Sequence, residues 1–375
     1  MQFRPNELQQ QLENSVQRFA QAHEDAEGWR AGARECGAFR PQVWQAMAEM
    51  GWLAAAIPEE FGGLGLGARE CAIVMEGAGR ALLLEPYWST AVLGVQLVLA
   101  AGTPQQKQEL LPQVAAGSLR LALALMEPGT RYDWTDVQCE ARRADSEWRI
   151  SGRKITVLDG ALADRLLLLA RTGKAELSIF CVDAKARGIT RRDSITLDER
   201  HCCDYVFDDV AVADGARLGA ALSAAQAMQK AIDYAMVALA AEAVGAMSAV
   251  LRSTVEYLKT RKQFGRPLSE FQALRHRVAD MVMATEQTRS LALMAAMTLD
   301  DNPSQAARLA TAAKIQAGQA GRMVGESAVQ LHGGIGVTDE LHVGHYLKRL
   351  ICIDLLLGDA NFHLKRFADT DPQFD

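Results

Sequence analysis

Three stretches carry side chains whose types and spacing point to chemistry. In YLKTRKQFGRPLSEFQALRH (257–276), Arg261, Gln263 and Phe264 place a guanidinium, an amide and an aromatic face at the end of a long helical pattern. That set suits a pyrophosphate beside an adenine, although a solvated helix end has the same composition. In QLHGGIGVTDE (330–340), Gln330 offers an amide, and Gly333 and Gly334 let the backbone approach a ligand closely. A plain helix C-cap and turn uses the same glycines. In IDLLLGDANFH (353–363), a run of leucines stops at Leu357-Gly358-Asp359, which is either a helix end or a place from which a catalytic carboxylate is missing.

Other reactive residue types carry less. His342 and His345 are spaced by three, but no carboxylate or third histidine stands at matching spacing, so no metal site is expected. The cysteines (Cys36, Cys71, Cys139, Cys181, Cys202, Cys203 and Cys352) are odd in number and lack C-x-x-C spacing, which argues against a disulfide framework or zinc. The adjacent Cys202 and Cys203 read as packing residues beside a strand rather than a redox pair. Glu127-Pro128 reads as a strand ending at a turn.

The elements that must position these residues follow from size and pattern. A chain of 375 residues with 49% hydrophobic content has material for more than one substructure. A net charge of -6 gives no footprint for nucleic acid, and no block of like charge suggests a polybasic membrane patch. The N-terminus lacks an apolar leader, and STAVLGVQLVLAAG (89–102), interrupted by Gln96, reads as the longest apolar stretch and is too short to span a bilayer. A cytoplasmic protein without membrane insertion is expected.

Residues 1–120 read as an N-terminal helical domain, with RPQVWQAMAEMGWLAAA and ARECAIVMEGAGRALLL repeating apolar residues at three and four. Over 121–215 the period shortens, and LALALME, EWRISGRKITVL, RLLLLART, LSIFCVD and DYVFDDVAV predict a middle β domain. Residues 216–375 read as four long helices broken at QFGRP, LDDNP and HGGIGVTDE, a C-terminal four-helix bundle. Phe271, Leu274, Val278, Met281, Val282 and Thr285 fall on one face of the second of these and are expected in its core. The order is α+β without βαβ alternation, and no G-x-G-x-x-G follows a strand, so any dinucleotide is held by other means.

Taken in order, IPEEFGGLGLG, ALMEPGTRYD, GRKITVLDGALAD, YVFDDVAV, YLKTRKQFGRPLSEFQALRHRVADM and QLHGGIGVTDE closely resemble the acyl-CoA dehydrogenase family over essentially the whole chain. The likeness is strongest to two-subunit members such as the small subunit of pimeloyl-CoA dehydrogenase. The resemblance implies a helical domain, a β-barrel domain and a helix bundle. It also implies FAD held between subunits, an acyl-CoA substrate, a carboxylate base that takes the α-proton, hydride transfer to the flavin, and an electron-transfer flavoprotein as acceptor.

Against that family pattern this chain departs in one half and agrees in the other. The usual Glu of a Glu-Gly-Thr triplet is replaced by Leu357, and the alternative Glu on the first bundle helix, about 26 residues before Arg261, by Ala235, with Met236 beside it. MEPGTRYD puts Arg131 and Tyr132 where small flavin-facing groups are usual, and Val157 stands where a hydroxyl is expected. Arg261, Gln263, Phe264, Gln330, Gly333 and Gly334 match the positions with which one subunit grips the FAD of its neighbour. The resemblance therefore implies a homologous partner subunit in an α2β2 assembly, this chain lacking the base. Glu242, Asp233 and Asp359 are the carboxylates that could replace it. A homo-oligomer with such a displaced base, a flavin monooxygenase on the same fold and a non-enzymatic helical subunit are the competing readings.

Overall fold

The helical pattern of the first segment becomes α1 (Glu7–His23), α2 (Pro41–Glu49), α3 (Ala68–Arg80), α4 (Val95–Ala101) and α5 (Pro104–Ala115) in the computed structural model. It describes residues 4–23, 39–174, 176–219, 223–338 and 340–369. One helix through Ala56 is not formed. After α2, Gly51 takes φ +76 and accepts the left-handed conformation that ends a helix, and buried turns carry Trp52, Leu53 and Ile57. Between α3 and α4 lies a fully buried π-helical turn, Trp88–Gly94. A Thr103/Gln106 capping box starts α5.

The middle segment is a sheet of β1 (Leu121–Ala124), β2 (Glu140–Ala144), β3 (Glu147–Leu158), β4 (Arg165–Arg171), β5 (Leu177–Asp183), β6 (Ile189–Ile195) and β7 (His201–Ala213). Its order is β1-β4-β2-β3-β7-β6, with β5 paired to β4. Leu166 to Ala170 are buried on both faces, as the apolar run of β4 predicts. The sequence reading missed β2 and β6, whose EARRA and ITRRDSI present polar side chains to solvent. Arg191, Arg192 and Asp193 on β6 make it the charged edge that discourages further pairing.

The last segment holds α6 (Ala224–Thr260), the two-residue strands β8 (Lys262–Gln263) and β9 (Arg266–Pro267), α7 (Gln272–Asp301), α8 (Pro303–His332), α9 (Val343–Leu355) and α10 (Ala360–Asp369). An 18-residue window of α6 has mean hydropathy 1.7, long and apolar enough to cross a membrane, and is 89% buried within the protein. It exceeds STAVLGVQLVLAAG, and its apolar residues run all round because protein surrounds the helix.

The expected core stripe of α7 is only partly core. Met281 and Thr285 are buried, Phe271, Leu274 and Val278 are half-buried, and Val282 is 41% exposed. No residue from Gln272 to Asp280 is buried, so the first turns of α7 gain little from packing within the chain.

The chain packs as two compact units, one drawn from Met1–Ala31, Ala68–Leu83 and Met236–Asp375, the other from Gly32–Gly67 and Leu84–Ala235. In the first, α3 and α6 cross at backbone contact: a Cβ on Gly79 would fall on the Glu242 carbonyl, and one on Gly245 on the Glu76 carbonyl.

Candidate functional site

The ends of α6 and α8 meet. The Tyr257 ring stacks on His332 with centroids 4.5 Å apart, and its hydroxyl donates to the His332 carbonyl at 3.3 Å. This contact gathers Arg261, Gln263 and Phe264 with Gln330, Gly333 and Gly334 at one end of the helical unit, where all six are exposed.

Between β8 and β9, Phe264 and Gly265 both have positive φ (54 and 78), the pattern of a two-residue type I′ hairpin. Asn or Asp usually takes the first place, since an L side chain there is strained by roughly 1 kcal/mol. Phe264 bears that strain while 88% exposed, touching the edge of Phe271 at 6.1 Å. Arg266 lies over the Phe271 ring at 4.1 Å. Among the described residues nothing hydrogen-bonds the Arg261 guanidinium or the side-chain amides of Gln263 and Gln330.

Gly333 has φ +65 and ends α8. Gly334 has no positive φ, and among the described residues a Cβ built on it would meet nothing within 4 Å. Neither conformation nor packing inside the chain requires that second glycine. Arg261, Gln263 and Gln330 thus present donors to solvent near an exposed aromatic ring and an open glycine.

The base positions are organised in the opposite way. Leu357 sits at φ 60 on a loop held by side chains of α8 and α10. Lys314 Nζ donates to the Asp354 and Gly358 carbonyls, at 2.7 Å each, and His363 Nε2 lies 3.1 Å from the Leu357 carbonyl. Burial pushes the Lys314 ammonium down to about 8. Burial, followed by the Lys314 charge, pushes His363 down to about 4, so its ring is neutral and donates from Nε2.

Ala235 is fully buried on α6, and its carbonyl accepts the indole N–H of Trp88 at 3.1 Å. Met236 and Val157 are equally enclosed, while Arg131 is exposed at φ 47.

The three substitute carboxylates are all engaged. Glu242 forms a bidentate pair with Arg349, both bonds 2.7 Å and both side chains at most 4% exposed. Asp233 accepts from Gln229 Nε2 at 2.7 Å. Asp359 caps α10, accepting from the Phe362 amide at 2.8 Å.

Sequence reasoning passed over two pairings. Glu127, read as a strand end, accepts Lys154 Nζ at 2.6 Å and the amides of Gln138 and Cys139 at 2.7 and 3.1 Å, tying the Glu127–Cys139 loop to β3. Burial lowers Lys154 and raises the neighbouring Cys139 thiol to about 11. The only sequence signal was the lysine of G-x-K inside an apolar strand; Lys314, inside the apolar helix α8, gave a similar one. Cys202 and Cys203 are buried, and burial lifts Cys203 to about 12, so it is no ready thiolate.

A helical segment, a seven-stranded sheet and a second helical segment follow one another along the chain. Family models agree: the acyl-CoA dehydrogenase N-terminal domain matches residues 6–118, the middle domain 122–210 and the C-terminal domain 224–370. The chain belongs to the acyl-CoA dehydrogenase family, FAD-dependent oxidoreductases in which a flavin cofactor is implied.

Among its relatives, the caffeyl-CoA reductase-Etf complex subunit CarC of Acetobacterium woodii is 30% identical over 319 residues, 82% of this chain and 84% of that protein. The Tcur3481-Tcur3483 steroid ACAD aligns at TM-score 0.88 with 32% identity, covering 97% of each chain. The ChsE4-ChsE5 complex from Mycobacterium tuberculosis aligns at TM-score 0.90 with 25% identity, covering 98% of each.

Proposed function

We infer that this chain is the complementing subunit of a two-subunit FAD-dependent acyl-CoA dehydrogenase, similar in kind to the small subunit of pimeloyl-CoA dehydrogenase. A homologous partner supplies the base and the flavin-ring pocket. This chain closes the phosphate and adenine end of the FAD across the interface with Arg261, Gln263, Phe264, Gln330, Gly333 and Gly334. The assembly is α2β2, the substrate an acyl-CoA thioester desaturated between its α and β carbons, and the acceptor an electron-transfer flavoprotein.

One observation carries this reading: neither family base position holds a carboxylate, and each of the three candidate replacements is engaged elsewhere. Position 357 is a leucine, position 235 a buried alanine, and Glu242, Asp233 and Asp359 each serve an ion pair, an amide or a helix cap. A positioned base is worth roughly 10² to 10⁴ in rate, and an acyl α-proton is poorly acidic without one. Bound FAD supplies the hydride acceptor; the residues named here bind and orient its far end.

The test is to purify the chain alone and with a co-expressed homologous partner, count FAD per chain and assay dehydrogenation with an artificial electron acceptor. The expected result is about one flavin per two chains with activity confined to the mixture. Full flavin loading and turnover by the lone chain would overturn the assignment.

A further inference from the structure

A cleft in the first unit is lined by α1, α3, α6 and α7. It consists of two adjoining cavities of about 340 and 240 Å³, which share Glu13, Ile73, Glu76 and Arg289. Spaces of that size hold small organic molecules. None of the lining residues belongs to the cofactor end or to the base positions.

Contacts within the chain do not use up the polar lining. Arg289 is spent: its Nη1 donates to Glu76 Oε1 at 2.6 Å, Nη2 to Ser248 Oγ at 2.9 Å and Nε to Glu286 Oε1 at 3.3 Å. Glu76 Oε1 also takes Arg80 Nη2 at 3.3 Å, which leaves its Oε2 without a donor among the described residues. Glu13 is exposed and accepts no hydrogen bond from any described residue. Partial burial, and then the Glu76 charge, hold its carboxyl above the usual carboxylate range. On the donor side, Arg80 Nε is buried with no acceptor. A buried guanidinium N–H without an acceptor is rare and costly, because it has given up water for nothing.

The leftover groups are thus of both signs on one cleft. Arg69, Arg80 and Arg289 stand with Glu13, Glu76 and Glu286, so a ligand of single charge meets about as much repulsion as attraction, whereas a zwitterion gains from both signs. Glu76 and Arg80 are one turn apart on α3, the spacing at which two side chains can hold the two ends of one small molecule. Between the charges the lining is apolar, with Ile73, Val244, Ala292 and Leu293.

We propose that this cleft binds a free α-amino acid with a branched apolar side chain. Its ammonium lies between Glu13 and the open oxygen of Glu76, its carboxylate takes Arg80, and its side chain packs on Val244, Ala292 and Leu293. Such a ligand ties α1 to α3 and α7.

The experiment is equilibrium dialysis of labelled L-leucine against the purified full chain, and saturable binding of one leucine per chain is expected. Leucinamide, which lacks the carboxylate, and 4-methylpentanoate, which lacks the ammonium, should each bind roughly tenfold or more weakly, as for a lost charged hydrogen bond. Glycine should also bind more weakly, for want of a side chain. Glu13→Gln removes an exposed carboxylate that has no partner in the chain, so the fold is kept and leucine affinity should fall roughly tenfold. Arg80→Met should lose as much, and where that variant fails to fold the leucinamide comparison tests the same contact.

The absence of saturable leucine binding up to about 10 mM overturns the proposal. So does a leucine affinity that leucinamide and 4-methylpentanoate match, or one that Glu13→Gln leaves unchanged. Flavin and partner subunit are both outside the dialysis, so its outcome is separate from the complementing-subunit reading.

Discussion

The loop and helix that would carry a base, and the helix ends that face outward from α6 and α8, treat their polar groups in opposite ways. Around Leu357 the carbonyls are taken up by Lys314 and His363, and the available carboxylates by Arg349, Gln229 and the first turn of α10. At the other place, Arg261, Gln263 and Gln330 make no side-chain hydrogen bond among the described residues, an aromatic ring stands in solvent, and a glycine borders open space. The first region spends most of its polar groups on contacts within the chain. The second leaves its donors open to solvent, where the proposed function has them meet a cofactor.

The contrast predicts a double dissociation: changes in the first region cost stability and spare flavin retention, and changes in the second do the reverse. The largest effect belongs to Arg349→Met, which strands the Glu242 carboxylate in the interior. Denaturant unfolding should show a loss of about 3 to 5 kcal/mol, partly recovered by adding Glu242→Gln, while flavin per folded assembly stays constant.

Next comes acid. His363 is held neutral down to about 4 when folded, against an ordinary value of 6.5. Between those values the unfolded chain binds a proton that the folded chain does not, so stability rises with pH there. It is complete above 6.5 and falls by about 3 kcal/mol as the pH drops to 4. Unfolding midpoints across that window should be flatter for His363→Gln.

Arg261→Ala reverses the pattern. Flavin dissociation from the assembled enzyme should strengthen roughly tenfold to a hundredfold, as for a lost charged hydrogen bond, with the unfolding midpoint unmoved. A variant that instead loses stability and keeps its flavin would break the comparison at its strongest point.

Gly334→Ala is a subtler probe. Because the added methyl meets nothing among the described residues, stability should change by less than about 0.5 kcal/mol, and any loss of flavin retention reads the approach of a ligand directly. The smallest effect is expected from Leu357→Glu in the isolated chain. With Met236 and Val157 still in place, the artificial-acceptor assay should stay near background, and strong turnover would show that the first region is less closed than its burial indicates.

How much of this was legible in the sequence depended on whether a residue's burden was local. The apolar strands β1, β3, β4, β5 and β7 were readable because burial writes itself into their residue types, whereas β2 and β6 were hidden by their charged outward faces. The end of α2 turned on the left-handed Gly51, a single backbone angle. The α7 stripe had the right period, but periodicity reports which residues share a face and not whether the chain covers that face.

The six residues proposed for the cofactor end were picked out through their motif. Their shared exposure was not, because it depends on Tyr257 and His332 meeting across 75 positions of sequence. The clamps by Lys314, His363 and Lys154 were illegible for the same reason: a lysine in an apolar stretch announces a partner without saying where it is.

The Phe264 hairpin has a consequence for handling the protein. On the complementing-subunit reading, Phe264 at 88% exposure and Val337 at 76% are covered in the assembly and bare in a lone copy, which is then expected to self-associate more readily. Solubility should therefore track the supply of its counterpart during synthesis, and the yield of clear supernatant from paired and unpaired expression becomes a simple gauge of whether the right counterpart has been found.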